Sequence, residues 1–181
     1  MPKLGRRSNN DAAVSDDDPL EQGSIEEESG DRWLGSDLAK SLRFYQKAYT
    51  HYLAAIAQDP NAIDPYYNSS RLLFHVYSQY SRTDGVDVGR LDNVDEVVGS
   101  TNSVLQPLQF IVQCHEQALD VVLRNNTTPP LDLLYNTAMV YIEVLESEQD
   151  NPSSDFDTNL QLAVKCRDLF SSIIETQLNQ F

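Results

Sequence analysis

The sequence has little cysteine and no long apolar run, and each shortage excludes a class of protein. Its two cysteines, Cys114 and Cys166, lie far apart in apolar, helical patterns, which predicts two reduced core thiols and no disulfide framework. Cys114 and His115 are neighbours that point to different parts of a helix surface, so we expect no metal site. No stretch of about 18 apolar residues occurs, so no transmembrane helix is expected. The first residues also lack the apolar core of a secretory signal.

Basic residues are also scarce. The chain has 28 Asp and Glu against 13 Lys and Arg, a formal net charge of -15. Such a field repels DNA, RNA and anionic membrane surfaces, so we expect neither a nucleic-acid nor a membrane partner. It attracts basic proteins. Solubility alone is an equally good explanation of the charge, and both interpretations stay open.

The motifs of the common enzyme classes are missing. The sequence contains no G-x-S-x-G, no H-E-x-x-H, no P-loop and no dinucleotide-binding glycine pattern. Its three histidines, His51, His75 and His115, fall on separate predicted helices, where packing or surface roles are common. We therefore expect a binding protein rather than an enzyme, with no cofactor.

Residues 1–32 carry nine acidic and four basic residues and almost no large apolar side chains. A segment of this composition buries too little surface to offset its ordering entropy, so we predict a disordered acidic tail. Ser15 and Ser24 each stand before a run of acidic residues, a pattern that suits an acid-directed kinase. Phosphate at either position would deepen the negative charge.

Helical periodicity begins shortly after Trp33. Apolar residues recur at steps of three and four through a first helix that Pro60 ends. Four further helices are predicted over residues 64–80, 100–124, 131–147 and 158–180. Polar loops separate them at residues 82–99 and 148–157, and no strand pattern occurs. The sequence thus predicts an all-α domain over residues 33–181.

Five residues of the first helix, Tyr45, Ala48, Tyr52, Ala55 and Pro60, have a spacing with a physical purpose. The alanines allow close helix contact, the tyrosines fill the neighbouring gaps, and the proline ends the helix. This pattern resembles the second helix of a tetratricopeptide (TPR) unit. The alternative is a generic helical bundle that shares this spacing by chance.

The 34-residue TPR frame continues beyond Pro60. It places Tyr66, Ser70 and Leu73 at first-helix positions of a second unit, and the pattern returns loosely from Leu134 to Tyr141. The resemblance implies antiparallel helix hairpins stacked as a short right-handed solenoid with a concave groove. The groove-facing candidates that it implies are Tyr67, Asn68, Arg71, Phe74, His75, Tyr135, Asn136 and Met139.

A well-known TPR subgroup binds the C-terminal carboxylates of heat-shock chaperones through a Lys/Asn/Asn/Lys/Arg set. Asn68 matches one of these positions, but Asp132 and Asn136 stand where Lys and Arg would be needed. Because an aspartate repels carboxylates, the role of a co-chaperone is disfavoured. The expectation is instead an adaptor or assembly chaperone that binds a basic or amphipathic protein segment in the cytoplasm or nucleus. A structural subunit of a larger complex, or an N-terminal fragment of one, is the alternative.

Overall fold

The computed structural model describes residues 18–82, 86–148 and 155–178. Within these ranges the chain is helical and contains no strand, which confirms the predicted all-α class. None of the helices in these ranges is both long and apolar enough to cross a membrane. The helices are α1 Pro19–Leu34, α2 Leu38–Gln58, α3 Ile63–Val76, α4 Asp95–Val98, α5 Leu108–Arg124, α6 Leu131–Glu148 and α7 Phe156–Leu178.

Helix α1 occupies residues for which disorder was predicted. The Asp18 side chain accepts a hydrogen bond from the Leu20 N–H at 3.0 Å, and Pro19 takes the first helical position, a favourable pair of helix-start signals. The helix then packs along α2. The prediction of disorder is therefore wrong for residues 19–32. The rest of that segment, residues 1–17 with Ser15, lies outside the described residues.

Two glycines explain how α1 is held with so few large apolar side chains. The backbone at Gly23 lies against the ring of Tyr52, and the backbone at Gly30 lies against the ring of Tyr45. A Cβ atom at either glycine would stand 2.4 Å from a ring carbon. Because α2 supplies most of the apolar surface of this contact, α1 needs few large apolar residues, and only Leu20 and Leu34 at its two ends pack on the main core.

The long helices pack in chain order. α1 contacts α2, α2 contacts α3, α3 contacts α5, α5 contacts α6, and α6 contacts α7, while α3 also contacts α6. The largest core lies between α2, α3 and α5 and includes Leu42, Tyr45, Tyr52, Leu73 and Ile111. Smaller cores join α5 to α6 and α6 to α7.

The predicted loop at residues 82–99 is more ordered than its composition indicates. Its described part contains a 3₁₀ turn, Val88–Arg90, and the short helix α4, whose Val97 is buried in the main core. Helix α2 anchors this segment, because Arg43 Nη1 donates to the carbonyls of Asp92 and Asn93. Residues 83–85 lie outside the described residues, as do residues 149–154 of the second predicted loop.

The third predicted helix begins later than expected. Pro107 stands at the N-terminal boundary of α5, where its carbonyl accepts the N–H groups of Phe110 and Ile111. Proline is compatible with a helix start and not with a helix interior. Residues 100–106, which the prediction placed in this helix, form an irregular segment instead.

Candidate functional site

A polar groove of about 290 Å³ lies between α1 and α3. Its position follows from the glycines of α1, which bring the carboxylates of that helix within reach of α3. We call it the α1–α3 groove. It is lined by Ser24, Glu27, Glu28, Asp31, Tyr52, Asn68 and Arg71.

The first layer of the groove joins three helices through Glu27. The Tyr52 hydroxyl donates to Glu27 Oε2 at 2.7 Å, and Arg71 Nη2 lies 2.6 Å from Glu27 Oε1. Both carboxylate oxygens are thus engaged, as a buried charge requires; Glu27 is 6% exposed. Burial raises the pKa of Tyr52, and the hydrogen bond to Glu27 raises it further. This layer fixes the separation of α1, α2 and α3.

The second layer repeats this arrangement one to two turns further along. The Tyr45 hydroxyl donates to Asp31 Oδ1 at 2.7 Å and also lies 3.1 Å from His75 Nε2. Because the hydroxyl proton goes to Asp31, His75 must carry its own proton on Nε2 for this second contact to be a hydrogen bond. Burial lowers the pKa of His75 although Asp31 opposes the shift. A neutral imidazole therefore occupies this layer at neutral pH.

A link to α6 extends the site beyond α3. Asn136 Nδ2 donates to the Tyr67 hydroxyl at 3.2 Å. Burial raises the pKa of Tyr67, and the nearby Asp132 carboxylate adds to the rise. Two residues predicted from different repeat units, Tyr67 and Asn136, therefore meet across the α3–α6 contact.

The structure brings together five of the predicted groove residues and places others elsewhere. Asn68 and Arg71 line the groove, His75 lies in its second layer, and Tyr67 and Asn136 bridge to α6. The other three candidates lie outside the groove. The Phe74 ring packs into the core edge-on to His115 of α5, and the half-exposed Tyr135 ring packs edge-on to Phe170 of α7. Met139 is partly buried on α6.

The groove residues that the sequence does not predict are four residues of α1 and Tyr52 of α2, which the sequence predicts only as a packing residue. The composition predicts that Glu27, Glu28 and Asp31 belong to a disordered tail, and the acidic run after Ser24 predicts only a phosphorylation site there. One signal was available: Gly23 and Gly30 are seven residues apart, as are Tyr45 and Tyr52. Matching seven-residue spacings of small and large residues are typical of two helices that pack along their length.

Carboxylates outnumber cations in and around the groove. Arg71 neutralises Glu27, and the exposed Arg32 pairs with Glu28 at 2.8 Å. The Asp31 side chain is 57% exposed and has no charged cation beside it, since its neighbours are the Tyr45 hydroxyl and the neutral His75, and Asp132 is exposed on α6. The open side of the site is therefore negative, and it can attract a cationic side chain.

The Glu27–Arg71 pair yields a stability prediction. We expect Arg71→Met to lower the free energy of unfolding by about 2 kcal/mol, because it leaves a buried carboxylate without its cation. This value lies below the usual cost of breaking a fully buried ion pair because the Arg71 side chain is 38% exposed. The double variant Glu27→Gln with Arg71→Met removes both charges and should recover about half of that loss. Urea denaturation of the wild type, both single variants and the double variant measures the coupling; independent, additive effects would contradict it.

No family model matches the sequence, and no solved structure matches it. The chain is similar to the uncharacterized protein YNL193W of Saccharomyces cerevisiae, with 33% identity over 132 residues, which are 70% of this chain and 23% of that protein. It is also similar to the UPF0656 protein C926.02 of Schizosaccharomyces pombe, with 48% identity over 50 residues, which are 28% of this chain and 11% of that protein. The chain thus spans less than a quarter of the length of these relatives.

Proposed function

We propose that the chain is a TPR-like scaffold, an adaptor or assembly chaperone, that holds a basic or amphipathic protein segment in the α1–α3 groove. The observation that carries the proposal is the excess of carboxylates in and around that groove. Asp31 has only the neutral His75 within ion-pair distance, and Asp132, near Tyr67, has no basic side chain within that distance among the described residues. A groove of this charge favours Lys and Arg side chains.

The order of helix packing supports a repeat arrangement. The helices pair as α1 with α2, α3 with α5, and α6 with α7, and the first helices of the second and third pairs also touch. The two groove layers show that α1 and α3 run in the same direction, since Glu27 and Asp31 meet Arg71 and His75 in the same order. Parallel first helices beside a shared groove are what a stack of hairpins requires.

The partner's chemistry is tested by affinity capture with mass spectrometry at low and high salt. We expect the wild-type chain to retain proteins with basic segments and to lose them as salt rises. Asp31→Asn with Asp132→Asn keeps the side-chain shapes, removes one charge from the groove lining and one from beside Tyr67, and should weaken capture several-fold. The matched control, Asp95→Asn with Asp120→Asn, removes the same charge at exposed positions outside the groove lining and should capture normally. Partners that are not basic, or retention that ignores salt, would contradict the electrostatic part of the proposal.

A further inference from the structure

Helix α2 carries cations that lack the carboxylate partners found elsewhere in this acidic chain. Ten Lys and Arg side chains lie in the described ranges, and seven of them have a described carboxylate oxygen within ion-pair distance. The three without one are Lys40, Arg43 and Arg124. Lys40 and Arg43 lie one turn apart on α2, and Lys47, one turn further, has only a 3.8 Å contact with Glu26. Positive charge is therefore concentrated on this helix.

Aromatic rings and backbone carbonyls hold these cations in place. Lys40 Nζ lies 3.3 Å from the centroid of the Trp33 ring. Lys47 Nζ lies 5.1 Å from the centroid of the Phe44 ring. Arg43 Nη1 donates to two carbonyl groups of the segment before α4, at 3.2 and 3.3 Å. Rings and carbonyls orient a cation and leave its net charge in place, so an anion that binds here loses little free energy in ordering the side chains.

Arg43 has one free edge for an anion. Its Nη1 is taken by the two carbonyls, whereas its Nε and Nη2 have no hydrogen-bond partner among the described residues. These two nitrogens form an edge with which a guanidinium binds a carboxylate through two parallel hydrogen bonds. Arg43 lines a hollow of about 160 Å³ together with Lys40, Phe44 and Lys47. We call it the cationic hollow; it combines three cations with one aromatic wall.

The surroundings of the cationic hollow limit what can occupy it. Lys40 and Lys47 are seven residues apart, which is about 10 Å along the helix. Carboxylates border this length, since Glu26 lies beside Lys47, and Asp95 and Glu96 line the adjoining hollow. A nucleic acid or an anionic membrane extends further and would bring its phosphates against these carboxylates and against a chain of net charge -15. A short acidic protein segment can place its carboxylates on the three cations alone.

We propose that the cationic hollow of α2 is a docking site for a short acidic segment of another protein. The carboxylates of that segment pair with Lys40, Arg43 and Lys47, and the ring of Phe44 adds an apolar contact. The hollow shares no residue with the α1–α3 groove. It can therefore fail or hold independently of the function proposed above.

Two labelled peptides that differ only in charge test the proposal, one with several Glu residues and one with Gln at the same positions. The net charge of the chain opposes the Glu peptide, so only local cations can make it the tighter ligand. Fluorescence anisotropy with the full chain at low salt should show the Glu peptide binding about tenfold more tightly, with the difference shrinking at high salt. Equal binding, or tighter binding of the Gln peptide, would overturn the proposal.

Trp33 reports where the peptide binds. It is the single tryptophan of the chain, and Lys40 lies over its ring. A carboxylate that pairs with Lys40 changes the surroundings of that ring. The emission of Trp33 should therefore shift as a Glu peptide without tryptophan is added, over the same concentration range as the anisotropy. An unchanged emission while the anisotropy rises would place the peptide elsewhere and overturn the proposal.

Variants distinguish the cationic hollow from net charge. Lys40→Gln with Lys47→Gln removes two of its cations and should weaken binding of the Glu peptide about tenfold. The matched control, Arg124→Gln with Arg167→Gln, changes the net charge equally at exposed positions outside the hollow and should bind within about twofold of the wild type. Circular dichroism checks that both variants fold. Equal losses in the two variants, or no loss in either, would overturn the proposal.

Competition and light scattering distinguish the acidic segment from other occupants. Vesicles with anionic lipid and single-stranded RNA should not displace the labelled Glu peptide at charge concentrations where the unlabelled peptide does. Displacement by either would show that a phosphate surface or polymer occupies the hollow and would overturn the proposal. Light scattering at high protein concentration should give a monomer. An oligomer that Lys40→Gln with Lys47→Gln dissociates would show that a second copy is the occupant and would also overturn it.

Discussion

Replacing Gly23 and Gly30 together by alanine is expected to lower the free energy of unfolding by about 3 kcal/mol. Each new Cβ would stand 2.4 Å from a ring carbon of Tyr52 or Tyr45. Neither ring can move freely, since its hydroxyl donates to Glu27 or Asp31 and its residue is fully buried. Overpacking of this kind costs about 1 to 3 kcal/mol per site, against a gain of about 1 kcal/mol in helix propensity.

Whether the double substitution lowers or raises the free energy of unfolding distinguishes overpacking against the tyrosine rings from the higher helix propensity of alanine. An α1 that made no close contact would be stabilised by both alanines, because alanine favours helix more than glycine does. Gly35→Ala is the matched control, since nothing lies within 4 Å of its added Cβ; its stability should stay near that of the wild type. Urea or thermal denaturation measures all three proteins. Stabilisation by the double substitution would contradict the packing of α1 described above.

Acid is expected to destabilise the protein through one buried histidine, by about 3 kcal/mol between pH 7 and pH 4. His115 is fully buried in α5, and its Nδ1 lies 2.9 Å from the Ile111 carbonyl oxygen. Nδ1 therefore carries the proton, and the buried Nε2 has no hydrogen-bond partner among the described residues. Burial lowers the pKa of His115 from 6.5 to about 4.

The direction of this change in stability follows from the difference in proton binding between the folded and unfolded chains. Between about pH 6.5 and pH 4 the unfolded chain binds a proton at His115 and the folded chain does not, so stability falls as the pH falls. Above this window the imidazole is neutral in both states and the contribution is fully present. His115→Leu removes the titrating group and the unpartnered nitrogen at similar volume, so its stability should stay close to the wild-type value at pH 7.

Urea denaturation of the wild type and His115→Leu at several pH values isolates this contribution. Other groups titrate equally in both proteins, so the difference between the two curves reports His115. The curves should diverge below pH 6.5, with the wild type losing stability faster. Parallel curves would show that His115 is accessible to protons in the folded state.

The periodic helices were determined by the sequence itself. The apolar residues of α2 recur every three or four positions, so that helix carries its own signal, and its Tyr45 and Tyr52 are buried as their spacing predicted. Pro60 and Pro107 also act locally, since a proline limits a helix whatever surrounds it.

Only the tertiary structure decided the place of α1 and the make-up of the groove. Gly23 and Gly30 do not by themselves favour a helix. They stabilise the packing of α1 only because the rings of Tyr52 and Tyr45 lie against their backbone. The same packing gives the acidic residues their partners. Glu27 contacts Tyr52 and Arg71, and Asp31 accepts a hydrogen bond from Tyr45. Phe74, by contrast, turns into the core beside His115. The physical reason is that backbone proximity and charge pairing depend on residues distant in sequence, whereas helical periodicity depends only on near neighbours.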